Sequence, residues 1–290
     1  MDILKLIKEK PLVIFDGATG TQLELRGAPA GALSNLAAPD VVKAVQRAYL
    51  EAGADAIIAN TFCMNRIYAD THKIGEDLAA VNRAGVKLGL EAAGGAAAVL
   101  GDIGPTGQML KPLGEYTEEQ FYETFLEQAR VLADAGADGF IIETMMDMNE
   151  AVCALKACRE NFKLPVIVSM TYATEKDGGR TQMGHRAADC AAAFEKAGAD
   201  VAATNCGDLS PEQVATIVRS YRGASGLPVL AMPNAGKPRL SGDRTVYDMT
   251  PEQFAAGVKL CVEAGARMAG GCCGTTPDHI RALARLAAGL

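Results

Sequence analysis

The stretch Ala52-Gly53-Ala54-Asp55-Ala56-Ile57-Ile58-Ala59-Asn60-Thr61 sets a glycine directly before an apolar run, and its opening tetrapeptide returns along the chain. Ala-Gly-Ala-Asp recurs at Ala135 to Asp138 and at Ala197 to Asp200, with Ala-Gly-Ala-Arg at Ala264 to Arg267. Such a glycine suits the left-handed position just past a helix C-terminus, where the chain turns into a strand. Eight short β-rich runs span Leu12 to Asp16, Ala56 to Thr61, Ala97 to Asp102, Gly139 to Thr144, Pro165 to Thr171, Val201 to Cys206, Pro228 to Pro233 and Arg267 to Cys272. Each tetrapeptide stands before an even-numbered run. Most runs are continuously apolar, as strands buried on both faces should be.

Between the runs lie helical patterns such as Val41 to Leu50, and Thr117 to Ala133, which opens with a capping box at Thr117-Glu118-Glu119-Gln120. Helix-ending glycines at intervals of about two βα units predict an α/β fold, a single (β/α)8 TIM barrel. A doubly wound open sheet is the competing architecture. No Ser/Pro-rich linker or charge block divides the chain, so residues 1–290 read as one domain. The longest irregular stretches are Gly20 to Pro39, Gly104 to Tyr116, Thr174 to His185 and Asn234 to Tyr247. All four follow a predicted strand, on the face where barrel enzymes build their sites.

The 290 residues carry a formal charge of −7, which gains no counterion-release energy from nucleic acid. No apolar run approaches the ~18 residues of a bilayer span, so no membrane role is expected. The first ten residues alternate charge with aliphatics and lack a signal peptide's apolar core, so the cytoplasm is the expected location. Eight cysteines are too few for a disulfide scaffold and should stay reduced there.

Three of the eight fall at strand ends: Cys206 after the sixth run, and Cys272-Cys273 after the eighth. In a barrel only the seventh run separates those strands, so three thiolates could meet one ion at the C-terminal face. Adjacent residues of a regular strand point to opposite faces, so the backbone must leave strand geometry at Cys272-Cys273. Gly270, Gly271 and Gly274 give that freedom. Zinc with three protein ligands keeps one position open, the mark of a catalytic site. A lone strand-end cysteine such as Cys206 also reads as a small hydrophobe. Cys63, Cys153, Cys158, Cys190 and Cys261 read as core or helical positions, although Cys63 could line the pocket.

The segments Asp16-Gly17-Ala18-Thr19-Gly20-Thr21, Asn60-Thr61-Phe62, Gly101 to Thr106, Glu143-Thr144, Gly179-Arg180-Thr181, Asn205-Cys206-Gly207 and Gly270 to Pro277 occur in order over nearly the whole chain. Together they resemble the homocysteine S-methyltransferase family, and within it most resemble the homocysteine-binding barrel of cobalamin-dependent methionine synthases. The resemblance implies a barrel in which Cys206, Cys272 and Cys273 hold Zn²⁺. It implies substrate binding by Asp16, Gly17, Asn60, Glu143 and Thr144, with Glu143 meeting the ammonium of L-homocysteine. Asp16 also reads as a turn-forming residue. The Gly17 to Thr21 turn can offer backbone N–H groups as an anion nest. Asn234, at the end of the seventh run, is either a fourth metal ligand when substrate is absent or the cap of the Pro233 to Gly236 turn.

A thiol is mostly protonated at neutral pH, and metal coordination removes that proton. The expected nucleophile is therefore a zinc-bound substrate thiolate, and no general base is needed, in keeping with three histidines in the chain. A quaternary ammonium donor calls for an aromatic cage, and this chain has no Trp and 5% aromatics. The resemblance favours methylcobalamin. Asp70-Thr71-His72-Lys73-Ile74-Gly75 matches a corrinoid-signature pattern, yet it falls between two barrel strands and reads as a solvated helix face. A separate methyl-corrinoid protein is thus the expected partner, unless the chain is a fragment of a larger synthase. The alternatives are a sulfonium donor such as S-methylmethionine, another thiol acceptor, or a non-catalytic thiol-binding or corrinoid-partner module. A zinc-free aldolase-like barrel would need a strand-end lysine, and none of the eight ends carries one.

Overall fold

A computed structural model describes residues 1–241 and 244–290. Eight parallel strands form one sheet: β1 (Val13–Ile14), β2 (Ala56–Ile58), β3 (Ala98–Ile103), β4 (Gly139–Met145), β5 (Val166–Met170), β6 (Val201–Asn205), β7 (Val229–Met232) and β10 (Met268–Ala269). A two-stranded antiparallel hairpin, β8 (Arg239–Ser241) with β9 (Arg244–Val246), interrupts that series. The sheet order is β1-β10-β7-β6-β5-β4-β3-β2. The sheet curls until its edges meet, with a parallel bridge between Phe15 and Ala56. The seam is fastened twice more, by Asp16 N–H to Ala56 O at 3.1 Å and by Ile58 N–H to Asp16 Oδ2 at 2.9 Å. The expected barrel is the observed one, and the open sheet is excluded.

Side-chain alternation along the strands sorts the core into two layers. Val13, Ala56, Ala98, Leu100, Ile141, Ile167, Val201, Ala203, Leu230, Met232 and Met268, drawn from all eight strands, form one buried cluster with Phe15 and Ile3. That cluster fills the barrel. Their neighbours of opposite parity, such as Ile57, Val99, Phe140, Val168 and Ala231, join a larger cluster with the surrounding helices. The short helix α1 (Ile3–Glu9) adds Leu4, Leu6 and Ile7 to the inner cluster. Arg267 donates to the carbonyls of Ile7 and Lys10 at the end of that helix.

The repeated tetrapeptide has a definite job. Gly53, Gly136, Gly198 and Gly265 all take positive φ, between 87° and 110°, one residue past a helix C-cap. The aspartate two places on then accepts a backbone N–H from the neighbouring strand: Ile14 to Asp55 at 3.0 Å, Val99 to Asp138 at 2.9 Å, Val166 to Asp200 at 2.8 Å. Each carboxylate thus ties two neighbouring strands together at their N-terminal ends.

The helix expected from Val41 is α4 (Pro39–Glu51), and α7 (Glu118–Asp134) begins with both hydrogen bonds of the Thr117/Gln120 capping box. Three stretches expected to be irregular are partly regular, Thr174 to His185 through a single 3-10 turn at Lys176–Gly178. Gly20 to Pro39 contains most of α2 (Thr19–Leu25) and all of α3 (Ser34–Ala37), and Asn234 to Tyr247 contains the hairpin. Among the described residues no helix is long and apolar enough to cross a membrane.

Candidate metal centre and adjoining cavity

Cys206 follows the last residue of β6, and Cys272 and Cys273 follow β10 after the two glycines. Only β7 lies between those strands. Beyond Ala269 the chain leaves the sheet: Cys272 N–H donates to Pro233 O at 2.9 Å and Ala235 N–H to Cys273 O at 3.0 Å, fixing the segment on the turn after β7. A Cβ on Gly271 would sit 2.5 Å from Thr275 Oγ1, so this close fold needs the glycine, and Gly274 adopts φ 79°. Cys206 itself takes φ 55°.

These departures bring the three sulfurs within 4.8 Å of one another, with Cys206 Sγ to Cys273 Sγ at 3.9 Å. Tetrahedral Zn–S bonds of ~2.3 Å require sulfurs about 3.8 Å apart, so the donor set fits zinc in spacing and in kind. The thiols are strongly coupled. Hydrogen bonds from Cys206, Cys272 and Tyr247 hold Cys273 well below the usual thiol range, while the same neighbouring sulfurs push Cys272 well above it. Asn234 is buried, donates from Nδ2 to Gly207 O at 2.9 Å, and leaves Oδ1 without a partner among the described residues.

A cavity of about 430 Å³ opens beside the sulfurs and is lined by all three cysteines with Gly17, Asn60, Glu143 and Thr144. Ala18 and the first turn of α2, Thr19 to Thr21, together with Phe62, Asp102 and Gly271, complete much of its wall. Asp16 lies just behind it, 1% exposed, with one oxygen on the β1–β2 seam and Oδ1 without a partner among the described residues. The anion nest is narrower than expected, because Ala18 N–H is taken by Thr275 Oγ1 at 3.0 Å. Cys63 is buried outside the lining, and His72 is exposed and stacked on Tyr68.

Asp102 is the residue that sequence reasoning passed over. It ends the third run as Asp16 and Glu143 end the first and mark the close of the fourth, so position alone would have found it. Its Oδ1 is buried and unpartnered among the described residues. Three carboxyl groups therefore gather at one wall, and among the described residues no Lys, Arg or His lines the cavity. Burial raises all three: Glu143 to about 7, and Asp16 and Asp102 well above the ordinary range, each further raised by Glu143. A wall of this kind favours a ligand that brings its own positive charge.

Fold and site together define a (β/α)8 barrel with a candidate metal centre at the C-terminal mouth of the strands. The chain belongs to the homocysteine S-methyltransferase family, whose signature it matches over residues 13–287. It is 30% identical to a methionine synthase of Mycobacterium leprae over 98% of its own length, and 29% identical to that of Mycobacterium tuberculosis over 100%. It spans about a quarter of the length of these relatives. The fold also matches the metallated crystal structure of the homocysteine methyltransferase MmuM from Escherichia coli, with a TM-score of 0.81 and 23% identity over 97% of this chain and 98% of that one.

Proposed function

We propose that this chain holds Zn²⁺ through Cys206, Cys272 and Cys273, takes L-homocysteine into the adjoining cavity, and methylates its sulfur to give methionine. The observation that carries the reading is the pairing of a three-sulfur cluster with a wall of buried and half-buried carboxyls at one cavity. A ligand with a thiol at one end and an ammonium at the other suits both. Bound there, zinc supplies the positive charge that keeps a substrate thiol ionised at neutral pH. Asn234 Oδ1, buried and unpartnered among the described residues, is the proposed fourth ligand when substrate is absent.

Glu143 receives the ammonium, with Asp16 and Asp102 behind and beside it. The amino-acid carboxylate falls to the backbone N–H groups of Gly17 and the first turn of α2, which have no intrahelical acceptor. Asn60, tied to Asn35 Oδ1 and Gly31 O, shapes the wall between them. No side chain is assigned as general base, because a metal held by the three cysteines would lower the thiol's pKa enough for its proton to pass to solvent water.

The methyl donor in this reading is methylcobalamin carried by a separate corrinoid protein. Among the described residues Phe62 is the one aromatic side chain in the cavity lining, too few for a cage around a quaternary ammonium. Exposed apolar side chains follow several strands at the mouth: Met109 and Leu113 after β3, Met146 after β4, Met183 after β5, and Leu240 in the hairpin after β7. Such a rim suits a protein partner better than a small donor. All eight cysteines are free, as a reducing cytoplasm would keep them.

The test is an assay of zinc-loaded protein with L-homocysteine and either methylcobalamin or S-methylmethionine. Methionine formed from methylcobalamin alone supports the reading. Methionine formed only from the sulfonium donor would replace that part of it, and homocysteine binding without turnover from either donor would point to a binding module.

A further inference from the structure

Asn205, the last residue of β6, is 1% exposed and sits between the carboxylate wall and the sulfur cluster. Its amide is used on both sides. Oδ1 accepts Ser169 Oγ–H at 2.6 Å and Thr144 N–H at 3.1 Å. Nδ2 donates to Glu143 Oε1 at 2.9 Å and Thr144 Oγ1 at 2.7 Å, with Cys272 Sγ at 3.6 Å. One side chain thus contacts the proposed ammonium acceptor, the residue after it, and a sulfur of the cluster.

The backbone around it is under strain that needs an explanation. Thr144 is β-branched yet adopts φ 59°, and the β4–β5 register shifts between Ile142 and Met145. A bulge of this kind re-aims the side chain beside it, here Glu143, and a left-handed β-branched residue persists only where its surroundings hold it. Asn205 supplies that hold, through Thr144's backbone N–H and its hydroxyl together.

We infer that Asn205 is a positioning residue that sets the distance between Glu143 and Cys272, and so the ammonium-to-sulfur spacing that the cavity accepts. It selects an amino-acid thiol with two methylenes, homocysteine, over one with a single methylene, cysteine. The inference rests on the proposed binding of homocysteine through sulfur and ammonium.

The experiment is isothermal titration of the zinc-loaded full chain with L-homocysteine and with L-cysteine, for wild type, Asn205→Asp and Ser169→Ala. Zinc content and the thiolate-to-metal charge-transfer band of the Co²⁺-substituted protein are read on the same samples. Wild type binding neither thiol would sink the proposed function itself. If wild type prefers homocysteine, Asn205→Asp, which keeps the acceptor but loses the donor, is expected to weaken homocysteine about tenfold or more. Cysteine should change by about twofold at most, and the Co²⁺ band should shift, since the sulfur loses its N–H donor. Ser169→Ala should move selectivity the same way by a smaller factor, and it decides the matter if Asn205→Asp fails to fold or loses zinc. Equal weakening of both thiols with an unmoved band, or unchanged selectivity in the deciding variant, overturns the inference.

Discussion

Glu143 shows how one side chain carries both a cost and a purpose. Its side chain is half-buried in the cavity wall, and the loss of hydration raises its pKa from the ordinary 4.5 to about 7. Between those values the folded protein binds more protons than the unfolded chain, so this group makes stability fall as pH rises through that window. Glu143→Gln removes that dependence. Urea denaturation of the metal-free variant should show a gain over wild type that is absent near pH 4 and reaches about 3 kcal/mol near pH 8. The same variant should bind L-homocysteine about ten- to a hundredfold more weakly if Glu143 takes the proposed ionic hydrogen bond from the ammonium. Cys273→Ser tests the proposed metal assignment: it should lower zinc retention and turnover together, measured by metal analysis and methionine formation. The cysteines were legible because Gly-Gly-Cys-Cys-Gly offers little packing reason for its own existence. Asn205 and Asp102 were not singled out. Asn205 makes its contacts across β4, β5 and the segment after β10, which no sequence pattern displays, whereas Asp102 could have been found from its place at the end of the third run.

The strands owe their alignment to the repeated helix-stop and its aspartate. Asp200 Oδ2 accepts from Val166 N–H at 2.8 Å and from Arg159 Nη1 at 3.1 Å, at the end of the barrel away from the cavity. Asp200→Ala leaves a buried strand N–H without its acceptor. It should cost about 1–3 kcal/mol in urea denaturation, with kcat and KM for homocysteine unchanged. Gly271→Ala tests the opposite end. The added Cβ would collide with Thr275, displacing the cysteine segment, so zinc retention should fall more than the thermal midpoint does. At this scale the sequence spoke through glycine spacing and apolar runs, which located all eight strands. It was silent where regular structure is short and polar: α2, α3 and the hairpin have too few residues for a period to show. Six of the eight strands are shorter than their apolar runs, all but β3 and β4, and β10 has only two residues because the chain leaves the sheet there towards Cys272 and Cys273.

The whole molecule separates its stability from its chemistry. The two apolar clusters fill the barrel and its helical jacket, and neither includes Cys206, Cys272 or Cys273. Chelation of the metal should therefore leave far-ultraviolet circular dichroism unchanged, unlike a zinc finger, while restored zinc raises the thermal midpoint by mass action. The candidate site needs the complete barrel nonetheless, since its sulfurs and carboxyls come from strands spread around the mouth, β1, β3, β4, β6 and β10. The most direct test is X-ray absorption at the zinc edge of the loaded protein before and after adding L-homocysteine. Three sulfur neighbours rising to four is the predicted result. A protein that binds no zinc, or a sulfur count that does not change when homocysteine is bound, would contradict it.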